Sequence, residues 1–111
     1  VKAAGGDIVL ITPLTRRTFK DGELPNDLRP WSEAILRVGA EAGVPVFDLN
    51  AVSHASVAAM GQAEADTLAE APPRFDRTHL GPKGAALFSG QVLDGLLQLR
   101  PELATARTLP P

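Results

Sequence analysis

Asp76 and His79 are the residues best spaced for chemistry, within Arg74-Phe75-Asp76-Arg77-Thr78-His79-Leu80-Gly81-Pro82. They lie three apart, in a loop just before a helix. A loop turn can set the carboxylate against the imidazole N–H. That contact fixes the ring tautomer and stabilises the imidazolium, as a general base in acyl transfer requires. Spacing alone also allows a plainer arrangement, in which Asp76 makes a turn or cap and His79 is a surface loop residue.

Four further groups bear on function. Arg16 and Arg17 follow the first strand's C-terminal end, the edge of an open parallel sheet that faces the ligand crevice. Two guanidinium groups there either bind carboxylates of an acidic sugar polymer or form a solvated basic pair. Asp48, near the end of the second strand, reads as the cap of the next helix. His54 reads as a surface or capping residue, because no His-x-His or His-x-x-x-His pair supports a metal. The serines, Ser32, Ser53, Ser56 and Ser89, fall within or beside helices. None has a Gly-x-Ser-x-Gly or Gly-Asp-Ser context.

The elements that position these groups follow from hydrophobic patterning. Ile8-Val9-Leu10-Ile11 is an unalternated apolar run ended by Pro13, which predicts a strand covered on both faces. Lys20-Asp21-Gly22 is a turn signal. Pro30 opens a helix whose apolar face is Trp31, Ile35, Val38 and Ala42, and Gly43 closes it. Val44 to Leu49 is the second strand. An Ala-rich helical region from Ala51 to Ala71 is broken at Gly61. Gly81-Pro82 opens the last helix, with Ala85, Phe88, Val92, Leu96 and Leu99 as its buried face. Glu64, Asp66 and Glu70 read as a solvated helix face. Lys2-Ala3-Ala4-Gly5 reads as the end of a helix with its cap, and residues 100–111 as a loose tail.

Strands alternating with helices give an α/β chain with a parallel sheet and right-handed crossovers. Two strands leave an unpaired edge on each, so the sheet is expected to need partners outside these 111 residues. The expected partner is an N-terminal half carrying further strands, or a second copy pairing through the exposed edge.

Asp76-Arg77-Thr78-His79-Leu80-Gly81-Pro82-Lys83-Gly84-Ala85 resembles the C-terminal block of SGNH (GDSL-type) hydrolases. There an Asp-x-x-His pair precedes the last helix, followed by a Gly-Ala step. Thr12-Pro13-Leu14-Thr15-Arg16-Arg17-Thr18-Phe19 looks like the strand-end segment of the rhamnogalacturonan acetylesterase branch. Gly43-Val44-Pro45-Val46-Phe47-Asp48-Leu49 is similar to its next strand. The resemblance spans roughly residues 5–99. It implies the C-terminal portion of one hydrolase domain over 1–99, part of a three-layer α/β/α (flavodoxin-like) fold with its N-terminal strands absent. It also implies catalytic Asp76 and His79 and an acetylated carbohydrate such as pectin as substrate; Arg16 and Arg17, from their place at the strand end, are expected to bind that substrate, and no cofactor is expected. The family's Gly-Asp-Ser nucleophile and its oxyanion-hole Gly and Asn motifs do not occur here. A base without nucleophile or oxyanion donors performs no acyl transfer, so the chain by itself is expected to be inactive.

Composition narrows the alternatives. Eleven basic against thirteen acidic residues give a net charge of −2, which excludes a strongly electrostatic nucleic-acid binder. With 44% hydrophobic residues the chain is too apolar for disorder. No apolar run approaches the roughly 18 residues of a membrane helix. The absence of cysteine removes disulfides, thiol nucleophiles and thiolate metal sites, and leaves the compartment open. Two functions remain: part of a carbohydrate esterase, or a non-catalytic α/β interaction module.

Overall fold

Two parallel strands with helices on both faces organise the chain, in a computed structural model that describes residues 1–107. The order is a 3-10 turn at Lys2–Ala4, β1 Leu10–Ile11, α1 Arg29–Ala42, β2 Val46–Phe47, α2 Leu49–Asp66, α3 Pro82–Leu99, a second 3-10 turn at Pro101–Leu103, and α4 Ala104–Arg107. The expected helix end at the N-terminus is a 3-10 turn, closed by Gly5 at φ 82°. The tail expected to be loose carries regular turns over 101–107, and its residues 108–111 lie outside the described residues. Among the described residues no helix is long and apolar enough to cross a membrane.

β1 pairs with β2 in register Leu10 with Val46 and Ile11 with Phe47. Successive strand residues point to opposite faces. A Cβ at Gly39 of α1 would collide with the Val46 side chain, and one at Gly95 of α3 with the Phe47 ring. α1 and α3 therefore cover opposite faces of β2, and each approaches so closely that only glycine fits. Both strands are shorter than the sequence suggests. Each keeps only the residues that find a partner.

The helix signals hold. Pro30 sits in the first turn of α1, and Gly43 ends it at φ 66° with its N–H on the Gly39 carbonyl. Asp48 caps α2, its side chain accepting from the Ala51 N–H. Gly61, at φ 80° and ψ 170°, breaks α2 into two helical pieces. Lys20 and Glu23 bridge across a tight turn with Asp21 and Gly22 both at positive φ.

Two expectations about faces are corrected. Trp31 is 63% and Val38 54% exposed, while α1 buries Ser32 and Gly39 instead. With Ile11 39% exposed as well, β1 is not covered on both faces. Leu10, Ile11, Ala34, Ile35 and Val38 line an open apolar groove of about 260 Å³. On α3, Ala85 is exposed, whereas Phe88 is buried and Val92, Leu96 and Leu99 are half-buried.

The main apolar cluster is Leu24, Val57, Ala65, Leu68 and Phe88, with Leu14, Phe19, Met60 and Leu80 packed on it. Leu24, Val57, Leu68 and Phe88 each contribute about 1.5–3 kcal/mol on full burial. The cluster joins α2 and α3 to the long segment after β1. That segment carries the two arginines, and the loop between α2 and α3 carries Asp76 and His79.

Candidate active site

The strand ends are tied to α2 by a polar zip. Thr12 Oγ1 donates to Asp48 Oδ1 at 2.7 Å and accepts from the Asn50 N–H at 2.9 Å. The Thr15 N–H donates to Ser53 Oγ at 3.1 Å. Arg29 Nη1 donates to both Asp48 oxygens, at 3.0 and 3.2 Å. Burial pushes the Asp48 carboxyl up, but the Thr12 hydroxyl, the Ala51 amide and Arg29 outweigh it and hold the pKa below the ordinary value. His54 Nε2 donates to the Leu24 carbonyl at 2.8 Å, tying the same segment to α2. His54 is therefore half-buried and tied across the fold, not the surface or capping residue expected from the sequence.

A second set of bonds positions the Asp76–His79 loop. Gln62 on α2 donates to the Arg17 carbonyl at 3.1 Å and accepts from the Phe19 N–H at 3.1 Å. It also donates to Asp66 Oδ1 at 2.8 Å. Asp66 grips Arg77 through two bonds of 2.9 and 3.0 Å. The Arg77 hydrogen bond is the largest cause of the lowered Asp66 pKa, and Asp66 raises Arg77 in return. Asp66 is thus half-buried and paired, not part of a purely solvated face. The Gly81 N–H then donates to the Leu68 carbonyl at 2.8 Å and starts α3 against the end of α2.

Within this frame Asp76 and His79 are brought together. Asp76 Oδ2 lies 3.0 Å from His79 Nδ1. Asp76 Oδ1 accepts from the backbone N–H groups of His79 at 2.6 Å and Thr78 at 2.8 Å. Those two amides, then the His79 ring, hold the Asp76 pKa down at about 2. The carboxylate is therefore ionised at neutral pH and can only accept. Nδ1 must carry the proton in the bond, which leaves the Nε2 lone pair of the neutral ring free. Among the described residues nothing bonds Nε2, and the His79 side chain is 83% exposed. An orienting carboxylate, a fixed tautomer and an open Nε2 are what a general base needs.

The two arginines part company. Arg16 is half-exposed and donates to Asp27 Oδ2 at 3.0 Å. It lines an open groove of about 510 Å³ with Pro13, Asp27, Leu28, Trp31 and Ile35. Arg17 is corrected as a crevice-facing residue, because its exposure is 0%. Its N–H donates to the Arg77 carbonyl at 2.9 Å. Its Nη2 donates to the Asp76 carbonyl at 3.2 Å and, more closely, to that of His79. Burial lowers its pKa, against the opposing pull of Asp76 and Asp66. Its Nε and Nη1 are buried with no partner, at a cost of about 1–3 kcal/mol each.

The serines are engaged elsewhere. Ser32 and Ser53 are buried. Ser56 Oγ donates to the Val52 carbonyl, and Ser89 Oγ to that of Ala86. None bonds His79. Among the described residues, no group of three or more His, Cys, Asp and Glu side chains is placed to hold a metal ion. Sequence reasoning missed Gln62, Asp66, Arg77 and the inward turn of Arg17. Apart from the Gln62–Asp66 bond within one helical turn, their partners lie 11 to 62 residues away, beyond the reach of a local pattern. Searches against protein-family models, curated proteins and solved structures find no match to this chain.

Proposed function

We propose that this chain is part of a carboxylic ester hydrolase of the SGNH type, contributing the Asp and His of a Ser-His-Asp mechanism. The observation that carries this reading is the Asp76–His79 pair, with Nδ1 held by a carboxylate and Nε2 open to solvent. The parallel strands, with Val46 and Phe47 turned to helices on opposite faces, are consistent with part of a three-layer flavodoxin-like sheet. The substrate is an acetylated carbohydrate such as pectin. Arg16, in the segment that follows β1 and on the rim of the groove with Trp31, suits a uronate carboxylate there.

The nucleophilic serine and the oxyanion donors come from outside these 111 residues. His79 Nε2 takes the serine proton as the oxygen attacks the ester carbonyl. Asp76 steadies the imidazolium. The proton passes to the leaving sugar oxygen as the tetrahedral intermediate collapses to the acyl-enzyme. Water then attacks by the same route and releases acetate.

The test is acetate release by the complete polypeptide. His79→Ala removes most turnover, and His54→Ala leaves it near wild type. Loss in His54→Ala with retention in His79→Ala overturns the reading. A second reading, a non-catalytic interaction module, is favoured by the uncovered apolar groove along β1 and α1. It stands if the complete polypeptide hydrolyses no ester.

A further inference from the structure

We infer that Arg17 is the positioning residue of the Asp76–His79 pair: its buried guanidinium clamps the carbonyls at both ends of the turn that sets the carboxylate against the ring. The inference rests on the catalytic reading of that pair and adds a residue the chemistry itself does not touch.

Three observations carry it. First, one nitrogen, Nη2, serves both the Asp76 and the His79 carbonyls. These are the first and last residues of the turn, so the bonds fix its span. Second, that span is what aims the Thr78 and His79 N–H groups at Asp76 Oδ1 and brings Oδ2 to Nδ1. If the turn opens, all three bonds lengthen together. Third, Arg17 is poorly used as a stability residue. It is 0% exposed, and its Nε and Nη1 have no partner. An apolar side chain of similar length would avoid both penalties. The buried cation thus costs stability, and what it gains is the geometry of the turn.

The clamp is itself held. The backbone N–H of Arg17 donates to the Arg77 carbonyl inside the same turn, and Gln62 donates to the Arg17 carbonyl. Arg77 is anchored on Asp66, which Gln62 also contacts. Arg17, the turn and α2 form a closed ring of contacts, with the pair on its solvent side. Asp76 and His79 lie in an exposed loop without strand or helix of its own. The clamp therefore supplies the preorganisation that regular structure does not.

The test is NMR on the isotope-labelled complete polypeptide, reading the Asp76 and Asp48 carboxyl titrations and the His79 ring nitrogens. In Arg17→Met, the Asp76 pKa rises from about 2 toward the ordinary 3.8. The His79 ring loses its preference for the Nδ1–H form. Asp48, held by Thr12 and Arg29 in the separate strand-end zip, stays low and reports that the fold is intact. Arg17→Lys, which keeps a cationic donor, restores part of both signals. An unchanged Asp76 titration and ring tautomer in Arg17→Met overturn the inference. If Arg17→Met does not fold, seen as Asp48 rising together with Asp76, Arg17→Lys decides. Asp76 raised with Asp48 held low supports the clamp, and both signals at wild-type values overturn it. Failure of the catalytic reading is separate. It appears as full ester turnover by His79→Ala in the complete polypeptide.

Discussion

Asp76→Asn separates the shape of the pair from its electrostatics. The amide is nearly isosteric with the carboxylate. Its oxygen can still accept from the Thr78 and His79 N–H groups, so the turn keeps two of its three side-chain bonds. The third changes sign. An NH2 group now faces His79 Nδ1, and donor against donor is repulsive. The ring answers by moving its proton to Nε2, where it blocks proton transfer from a serine. In the buried serine-protease pair the same change lowers kcat about 10⁴-fold. The His79 side chain here is 83% exposed, so water competes for the ring nitrogens and retains some of the productive tautomer. The expected loss is about 10²–10³ in kcat with KM little changed, since the pair acts in the transition state. The assay is steady-state acetate release by the complete polypeptide, with ring ¹⁵N shifts measured in parallel. His79→Ala combined with Asp76→Asn is no worse than His79→Ala alone, because the two act as a unit. A kcat loss below about tenfold, with the ring shifted to Nε2–H, refutes the reasoning, because proton transfer through Nε2 is then not what limits turnover.

Three further outcomes follow from the same geometry. The Asp76 pKa of about 2 lies below the ordinary 3.8, so the turn's added stability is complete above pH 3.8 and is lost as pH falls through 2; amide shifts of Thr78 and His79 that move only at neutral pH contradict this. Gly81→Ala puts a Cβ 2.5 Å from the Ala69 carbonyl oxygen, and thermal unfolding is expected to show about 1–3 kcal/mol of destabilisation. Arg16→Ala raises KM on a uronate-containing acetylated polymer and leaves a small neutral acetyl ester unaffected, because only remote binding is lost; equal effects on both substrates remove Arg16 from the substrate contact.

Local signals were read from the sequence where their cause is local. Gly43 and Gly61 mark backbone that only glycine adopts freely, and both stand at helix breaks. Asp48 caps the next helix because its acceptor reaches an amide three residues on. Asp76 and His79 meet because a three-residue turn closes on itself. Faces were harder. Trp31, Ile35 and Val38 do share a stripe of α1, but periodicity names a stripe without saying what covers it. Here Trp31 and Val38 stay exposed. Arg17 was hidden for the opposite reason. Arginine beside arginine at a strand end reads as solvated or ligand-facing, and only the arrival of carbonyls 59 and 62 residues away makes its burial tolerable. Ser53 and Asn50 are buried polar side chains for the same cause, Ser53 accepting from the Thr15 N–H 38 residues away and the Asn50 amide pairing with that of Asn26, 24 residues away.

The break at Gly61 has a consequence for how such a site can be re-spaced. The piece of α2 before it holds the strand ends through Asn50 and Ser53, and Leu24 through His54. The piece after it holds the Asp76–His79 loop, through Gln62 and Asp66. The strand ends and the Asp76–His79 loop are thus mounted on two arms of one rod, joined at Gly61. No side chain crowds that joint, since a Cβ at Gly61 would meet nothing within 4 Å. The joint is set by backbone conformation alone. Gly61 sits at φ 80°, where any side chain is strained, and Val57 before the break shares the apolar cluster with Ala65 after it, so a substitution at the joint shifts the contacts of both arms at once.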